Sequence, residues 1–160
     1  MSDAHPQEPV GLIVVDHGSR RTESNEMLEV MAGMVAEVVP YPIVEAAHME
    51  LAEPSIATAF DACVARGART VVVSPYFLLP GKHWRQDIPA LVEEAAARHP
   101  GVEYLVVAPF GLHPLMAQVV HARVEHCLAH IRGEVAECEA CAGTGTCRMV
   151  TSAGAPAPTA

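Results

Sequence analysis

Residues 70–89 read TVVVSPYFLLPGKHWRQDIP. The run Thr70-Val71-Val72-Val73 is β-branched, which predicts a buried strand. From Pro75 to Pro89 the chain then crowds Pro, Gly, Lys, His, Trp, Arg and Asp together, before Ile88, Leu91, Val92 and Ala95 line a helix. Strand, polar loop and helix in that order make one unit of an α/β protein, and the loop at the strand's carboxyl end is where such folds place ligands. His83 lies within that loop.

The same unit recurs on either side. VGLIVVD at residues 10–16 predicts a buried strand that ends in polar HGSR. Met27, Met31, Met34, Val35 and Val38 follow at helical spacing, and Pro40 and Pro42 close that segment. IVEAAHM at 43–49 predicts the next strand; Pro54 and Ser55 open a helix that Gly67 stops. Val102 to Val107 predicts the last strand, followed by the turn APFGLHP and a helix with Met116, Val120, Val124, Cys127 and Ile131 on one face. Connections this long are not hairpins. They imply right-handed crossovers and an α/β fold: a four-stranded parallel sheet with helices on both faces. The expected segmentation is a flexible N-terminus over 1–9, an α/β domain over 10–133, a Cys-rich segment over 134–148 and a disordered tail over 149–160.

At 160 residues, 51% of them apolar, the chain can bury one real core. A net charge of −9 argues against nonspecific nucleic-acid binding. No apolar run approaches the roughly 20 residues that span a bilayer. The first ten residues carry no export signal, so a soluble cytoplasmic protein is expected. A plastid origin stays open if a transit segment was trimmed. Five cysteines, three of them crowded into the last quarter, point to metal or redox chemistry over structural disulfides.

Three strand-end loops each carry a metal-capable side chain: His17 in DHGSR, Glu50 in HMELAEPSI and His83 in PGKHW. Their separation is 33 residues in each case, one strand-helix repeat, so all three should converge on one edge of the sheet. A His–Glu–His set suits a borderline divalent ion and leaves its coordination sphere open. Taken singly, each is equally well read as a polar loop residue or a cap. Gly18 and Gly81 allow a close backbone approach. Lys82 and Arg85 can pair carboxylates or stand as solvated surface. Trp84 reads as a flat face for a planar ligand or as a loop anchor, and His113 as a fourth-loop site residue or a helix cap. A histidine phosphatase fits poorly, because Asp16 stands where such enzymes place an arginine before the histidine.

DHGSR, HMELAEPSI, PYFLLPGKHWRQDIP and PFGLHPLM, in this order within about residues 10–130, resemble the short sirohydrochlorin chelatases of the CbiX/SirB type. The resemblance implies an ATP-independent class II chelatase, a lyase that inserts Fe²⁺ into sirohydrochlorin to give sirohaem. Insertion of cobalt, toward cobalamin, or of nickel is the close variant. It assigns His17 and His83 as catalytic histidines, with Glu50 beside them at the metal. Ser19, Arg20, Arg21, Lys82, Trp84, Arg85 and His113 become candidates for holding the polycarboxylate ring. Longer members have two such lobes around a cleft, so a single lobe implies a homodimer with the tetrapyrrole between subunits. The reading from another class is a non-catalytic metal carrier that uses the same three donors.

CEACAGTGTC, residues 138–147, holds one CxxC pair and a third cysteine, with Gly143 and Gly145 permitting a tight backbone. Zinc ribbons need two such pairs. Plant-type short chelatases carry a similar Cys-rich end associated with a [2Fe–2S] cluster, which implies Cys138, Cys141 and Cys147 as ligands. Four ligands are required. Cys127 is the fourth available within the chain, although it also suits the apolar face of its helix; a non-cysteine or partner-subunit ligand, zinc, and unligated thiols stay open. Cys63, within a helix, reads as a packed core thiol.

Overall fold

A computed structural model describes residues 9–150. The N-terminus and tail expected to be unstructured fall outside these residues, except at their inner edges. In chain order the elements are β1 (Val10–Asp16), α1 (Thr22–Val38), β2 (Ile43–His48), α2 (Ile56–Ala65), β3 (Thr70–Pro75), a π-helical turn (His83–Asp87), α3 (Ile88–Ala96), β4 (Glu103–Val106) and α4 (Pro114–Ile131). The four strands form one parallel sheet in the order β2-β1-β3-β4. From β1 the chain moves to one side for β2 and to the other for β3. That reversal of winding beside β1 opens a crevice at the carboxyl ends. Register sets those ends level, with Asp16 opposite His48 and Val15 opposite Pro75.

The chain divides into two compact units, one ending at Gly111 and one beginning at Leu112. In the first unit, alternation along the strands sends side chains to two layers. Ile13, Val15, Val71 and Val73 pack with Phe60 and Cys63 of α2 and Ile88 and Val92 of α3. Val14 faces the other way, onto Leu28 and Ala32 of α1. Gly11 is required for the α2 contact: a Cβ there would stand 2.9 Å from Cys63 Cβ and 3.1 Å from Ala68 Cβ. Burial pushes the Cys63 thiol up to about 12, as expected of a packed core thiol.

The face expected of α1 is partly wrong. Leu28, Ala32 and Val35 turn to the sheet, whereas Met27, Met34 and Val38 are exposed. The helix carries two apolar stripes, and the inner one has the small Ala32 at its centre, which permits close approach to the strands. The segment His83–Asp87, read as loop, is a wide helical turn continuous with α3.

In the second unit no residue of α4 is buried, and Val120 and Val124 are exposed. The expected core face on this helix is therefore absent. After Gly133 the chain doubles back beside α4. The ring nitrogens of His126 and His130 reach the carbonyls of Ala136 and Val135 at 3.1 and 3.0 Å, and Arg123 pairs with Glu139 at 2.6 Å. Among the described residues, no helix is long and apolar enough to cross a membrane.

Candidate metal site

The β1–β2 ladder runs past the formal strand ends. Met49 N–H donates to Asp16 O at 2.8 Å, and Glu50 N–H to His17 O at 3.1 Å. That extension places the first two predicted donors side by side, and His17 Nε2 lies 2.8 Å from Glu50 Oε1. Gly18, at φ +87°, makes the approach possible, because a Cβ would overlap the Glu50 carbonyl oxygen. The loop carrying Glu50 is closed at its base by His48 N–H on Pro54 O, 2.8 Å. Beyond it, the Glu53 carboxylate takes Ser55 N–H at 2.6 Å and the Thr58 hydroxyl at 2.9 Å, while Ser55 Oγ caps α2 by accepting Thr58 N–H. These hydrogen bonds, Ser55 N–H first, hold the Glu53 carboxyl below its ordinary value.

The third predicted donor arrives from β3. The His83 ring stands edge-on to His17 with centroids 5.3 Å apart, and it stacks on Phe77 at 6.2 Å. Its Nδ1 is 2.8 Å from Asp87 Oδ2, one helical turn on, which leaves Nε2 free of that contact. The structure thus brings His17, Glu50 and His83 together at one edge of the sheet. Among the described residues no three His, Cys, Asp or Glu groups stand at the spacing of a formed metal centre. His17 and Glu50 are hydrogen-bonded to each other instead. Ligation of one ion at about 2.0–2.2 Å in tetrahedral geometry sets nitrogen and oxygen about 3.4 Å apart, so the pair needs to open by about half an ångström. Both side chains are roughly half exposed and free to do so.

Of the candidate rim residues, Arg20, Arg21, Lys82 and Arg85 are exposed and form none of the ion pairs found among the described residues, whereas Arg66, Arg98, Arg123 and Arg132 are all paired. Ser19 is engaged locally: its N–H and C=O bind the Asn25 amide, and its Oγ accepts Arg21 N–H. Trp84 serves as an anchor, its indole N–H donating to Val107 O at 3.0 Å. His113 caps α4, its Nδ1 accepting Leu115 N–H at 3.2 Å. Sequence reasoning missed Asp16, His48 and Asp87. Only Asp87 carried a signal, its i+4 spacing from His83, and that spacing has meaning only if the segment is helical.

The cysteine segment forms its own cluster in the second unit. Burial, then a hydrogen bond to Cys127, pushes the Cys147 thiol up to about 11. Cys141 is raised by its hydrogen bond to Cys138, and Cys138 is lowered chiefly by the backbone N–H of Ala140 and of Cys141. Cys127 accordingly sits against the Cys147 thiol and is only half-buried, not in a core. Gly143 and Gly145, both at positive φ, supply the tight turns between Cys141 and Cys147.

A family model, CbiX, matches residues 11–127. The chain belongs to the CbiX family. It is 56% identical over 142 residues to "Sirohydrochlorin ferrochelatase, chloroplastic" of Arabidopsis thaliana, covering 89% of this chain and 63% of that protein. It is 33% identical over 115 residues to a sirohydrochlorin ferrochelatase of Bacillus subtilis, 71% of this chain and 44% of the relative. Among solved structures, the sirohydrochlorin chelatase SirB of B. subtilis subspecies spizizenii in complex with cobalt superposes with a TM-score of 0.69 at 31% identity, over 73% of this chain and 50% of that one. A CbiX protein of Marinobacter aquaeolei VT8 matches at TM-score 0.65 and 32% identity, over 76% of this chain and 99% of its own. This CbiX-family chain thus spans less than two thirds of the curated relatives quoted, and nearly all of one short family structure.

Proposed function

We propose that this CbiX-family protein is a sirohydrochlorin ferrochelatase: it inserts Fe²⁺ into sirohydrochlorin to give sirohaem, without ATP. The observation that carries the reading is the 2.8 Å His17–Glu50 pair beside the His83 ring at the sheet's carboxyl edge. Metal insertion requires two pyrrole N–H protons to leave as a divalent ion sheds water and enters the ring. In this reading His17 and Glu50 hold the ion, and His83, oriented through Asp87, accepts one pyrrole proton at Nε2 while the other passes to solvent. Exposed Leu51, Leu78 and Leu79 on the same loops offer apolar surface to the ring, and the unpaired cations Arg20, Arg21, Lys82 and Arg85 offer partners for its carboxylates. Cobalt insertion is the close variant, supported by the cobalt-bound SirB and by a sirohydrochlorin cobaltochelatase of Priestia megaterium at 33% identity. In this reading residues 10–133 form the chelatase unit and 134–148 a separate cluster segment. The subunit pairs with a second copy, and the chloroplastic plant relative supports a plastid compartment.

Anaerobic titration with sirohydrochlorin and Fe²⁺ tests the assignment. Conversion to the metallated spectrum faster than in buffer, lost in His17→Ala and His83→Ala, supports it. Ion binding with no conversion makes the protein a metal carrier.

A [2Fe–2S] cluster is the finer reading of the cysteine segment, and the residues fit it. Cys138 neighbours Cys141, Cys141 neighbours Cys147 and Cys147 neighbours Cys127, which supplies four thiols in sequence of contact, the number such a cluster takes, although they do not yet stand at the spacing of a formed centre. Bound there, it would supply one-electron redox chemistry or a structural clasp between α4 and the segment after it. Visible absorption and electron paramagnetic resonance on anaerobically purified protein decide between this and colourless zinc.

A further inference from the structure

His48 is the one polar side chain among the described residues that is completely buried, at 0% exposure. Neither strand packing nor the chemistry above asks for it, since an apolar residue would fill the position without the desolvation that imidazole suffers. Its Nδ1 lies 2.6 Å from Asp16 Oδ1. The same oxygen accepts Gly18 N–H at 2.9 Å. The carboxylate is therefore held between a buried ring and the backbone on the far side of His17. The other ring nitrogen, Nε2, is buried without a partner. The proton of that hydrogen bond sits on Nδ1, because the acceptor is a carboxylate and no partner faces Nε2.

We infer that His48 is a positioning residue for the metal site. Its Nδ1–H fixes Asp16, Asp16 fixes the Gly18 amide, and the turn so defined aims the His17 ring at Glu50. Backbone bonds from Met49 to Asp16 and from Glu50 to His17 bring the two loops together. They leave the turn at Gly18 free to swing, and an Asp16 side chain that is a quarter exposed could otherwise rotate to water. The hydrogen bond from His48 removes that freedom. Supporting groups one step behind a metal ligand typically change affinity or turnover about 10–100-fold when removed.

This inference rests on the proposed metal site for its Co²⁺ arm and on the chelatase reading for its kinetic arm, whereas the amide-exchange arm depends on neither. Two variants separate positioning from packing. His48→Phe fills the volume and has no donor; His48→Asn keeps an N–H at the Nδ1 position. If Phe fails to fold by thermal unfolding, His48→Met, which adapts to irregular space, takes its place. In the apolar variant the Gly18 amide is expected to exchange with deuterium at least about tenfold faster, and Co²⁺ titrated alone, read by its visible bands, to bind about 10–100-fold more weakly. For metal insertion kcat falls while KM for sirohydrochlorin holds. Asn restores most of each loss. Unchanged Gly18 protection and Co²⁺ affinity in the apolar variant, or an Asn variant no better than it, overturns the inference. A wild-type protein that inserts no metal defeats the chelatase reading instead, and the amide exchange still judges His48.

Discussion

Gly18 is the residue on which the site's geometry turns. Any side chain there meets a left-handed backbone that costs about 1–2 kcal/mol and an overlap with the Glu50 carbonyl oxygen that only movement of the Glu50 loop can relieve. Gly18→Ala is therefore expected to lower thermal stability modestly and to abolish tight Co²⁺ binding, measurable by differential scanning fluorimetry and metal titration on one sample. Glu53 gives a pH-dependent counterpart at the far end of the same loop. Its folded pKa lies below its ordinary value, so its contribution is present above about pH 4.5, its unfolded value, and is lost as pH falls through the depressed folded one. Glu53→Gln should cost about 0.5–1 kcal/mol at neutral pH, the lower end for a capping group because the residue is exposed. Denaturant curves at pH 7 and pH 3 should differ less in the variant than in the wild type. At this scale the sequence was readable where residues repeat: His17, Glu50 and His83 recur every 33 positions because each follows a strand. Asp16 and His48 were hidden, since their roles come from lateral register between strands, which no single stretch of sequence displays.

Elements declared themselves in proportion to how completely they are buried. β1, buried along nearly its whole length, and β3, buried at every second residue, are continuous apolar runs and were legible at once. α1 was found, but its inward face was misjudged because Met27, Met31 and Met34 each stand one position before Leu28, Ala32 and Val35, which make the contact. α4 offered a convincing apolar stripe and buries none of it; there Cys127 faces thiols that lie distant in sequence. The thiols predict a reactivity order. Cys138, lowered by backbone N–H bonds, should alkylate first in metal-free protein at pH 8. Cys147, raised to about 11, should follow slowly. Cys63, buried and raised to about 12, should react only after unfolding. Mass spectrometry of iodoacetamide-treated protein over time reads this order directly. Loading the segment with metal should protect Cys127, Cys138, Cys141 and Cys147 together; protection that spares Cys127 excludes it as a ligand.

At the scale of the molecule the question is what faces the site. The 17.0 kDa chain matches half the length of the cobalt-bound SirB, yet 99% of the Marinobacter chain, so a single unit is a length the family uses. His17 and His83 lie about two-fifths and nearly half exposed on the open edge of one sheet. A flat macrocycle laid there has one face against protein and one against water, which leaves the ring solvated and the entering ion poorly confined. A second copy covering that face removes both problems. Linkage then makes a demand on binding: a ligand bridging two subunits must strengthen their association by the same factor that association strengthens ligand binding. Sedimentation equilibrium should accordingly find a species of about twice the chain mass, with a dissociation constant that falls when sirohydrochlorin is added. Specific activity should drop on dilution through that constant and recover on reconcentration. A monomer that inserts metal at full rate at every dilution, or an association indifferent to the tetrapyrrole, puts the ring on one subunit alone and leaves His17, Glu50 and His83 to do the chemistry without a facing partner.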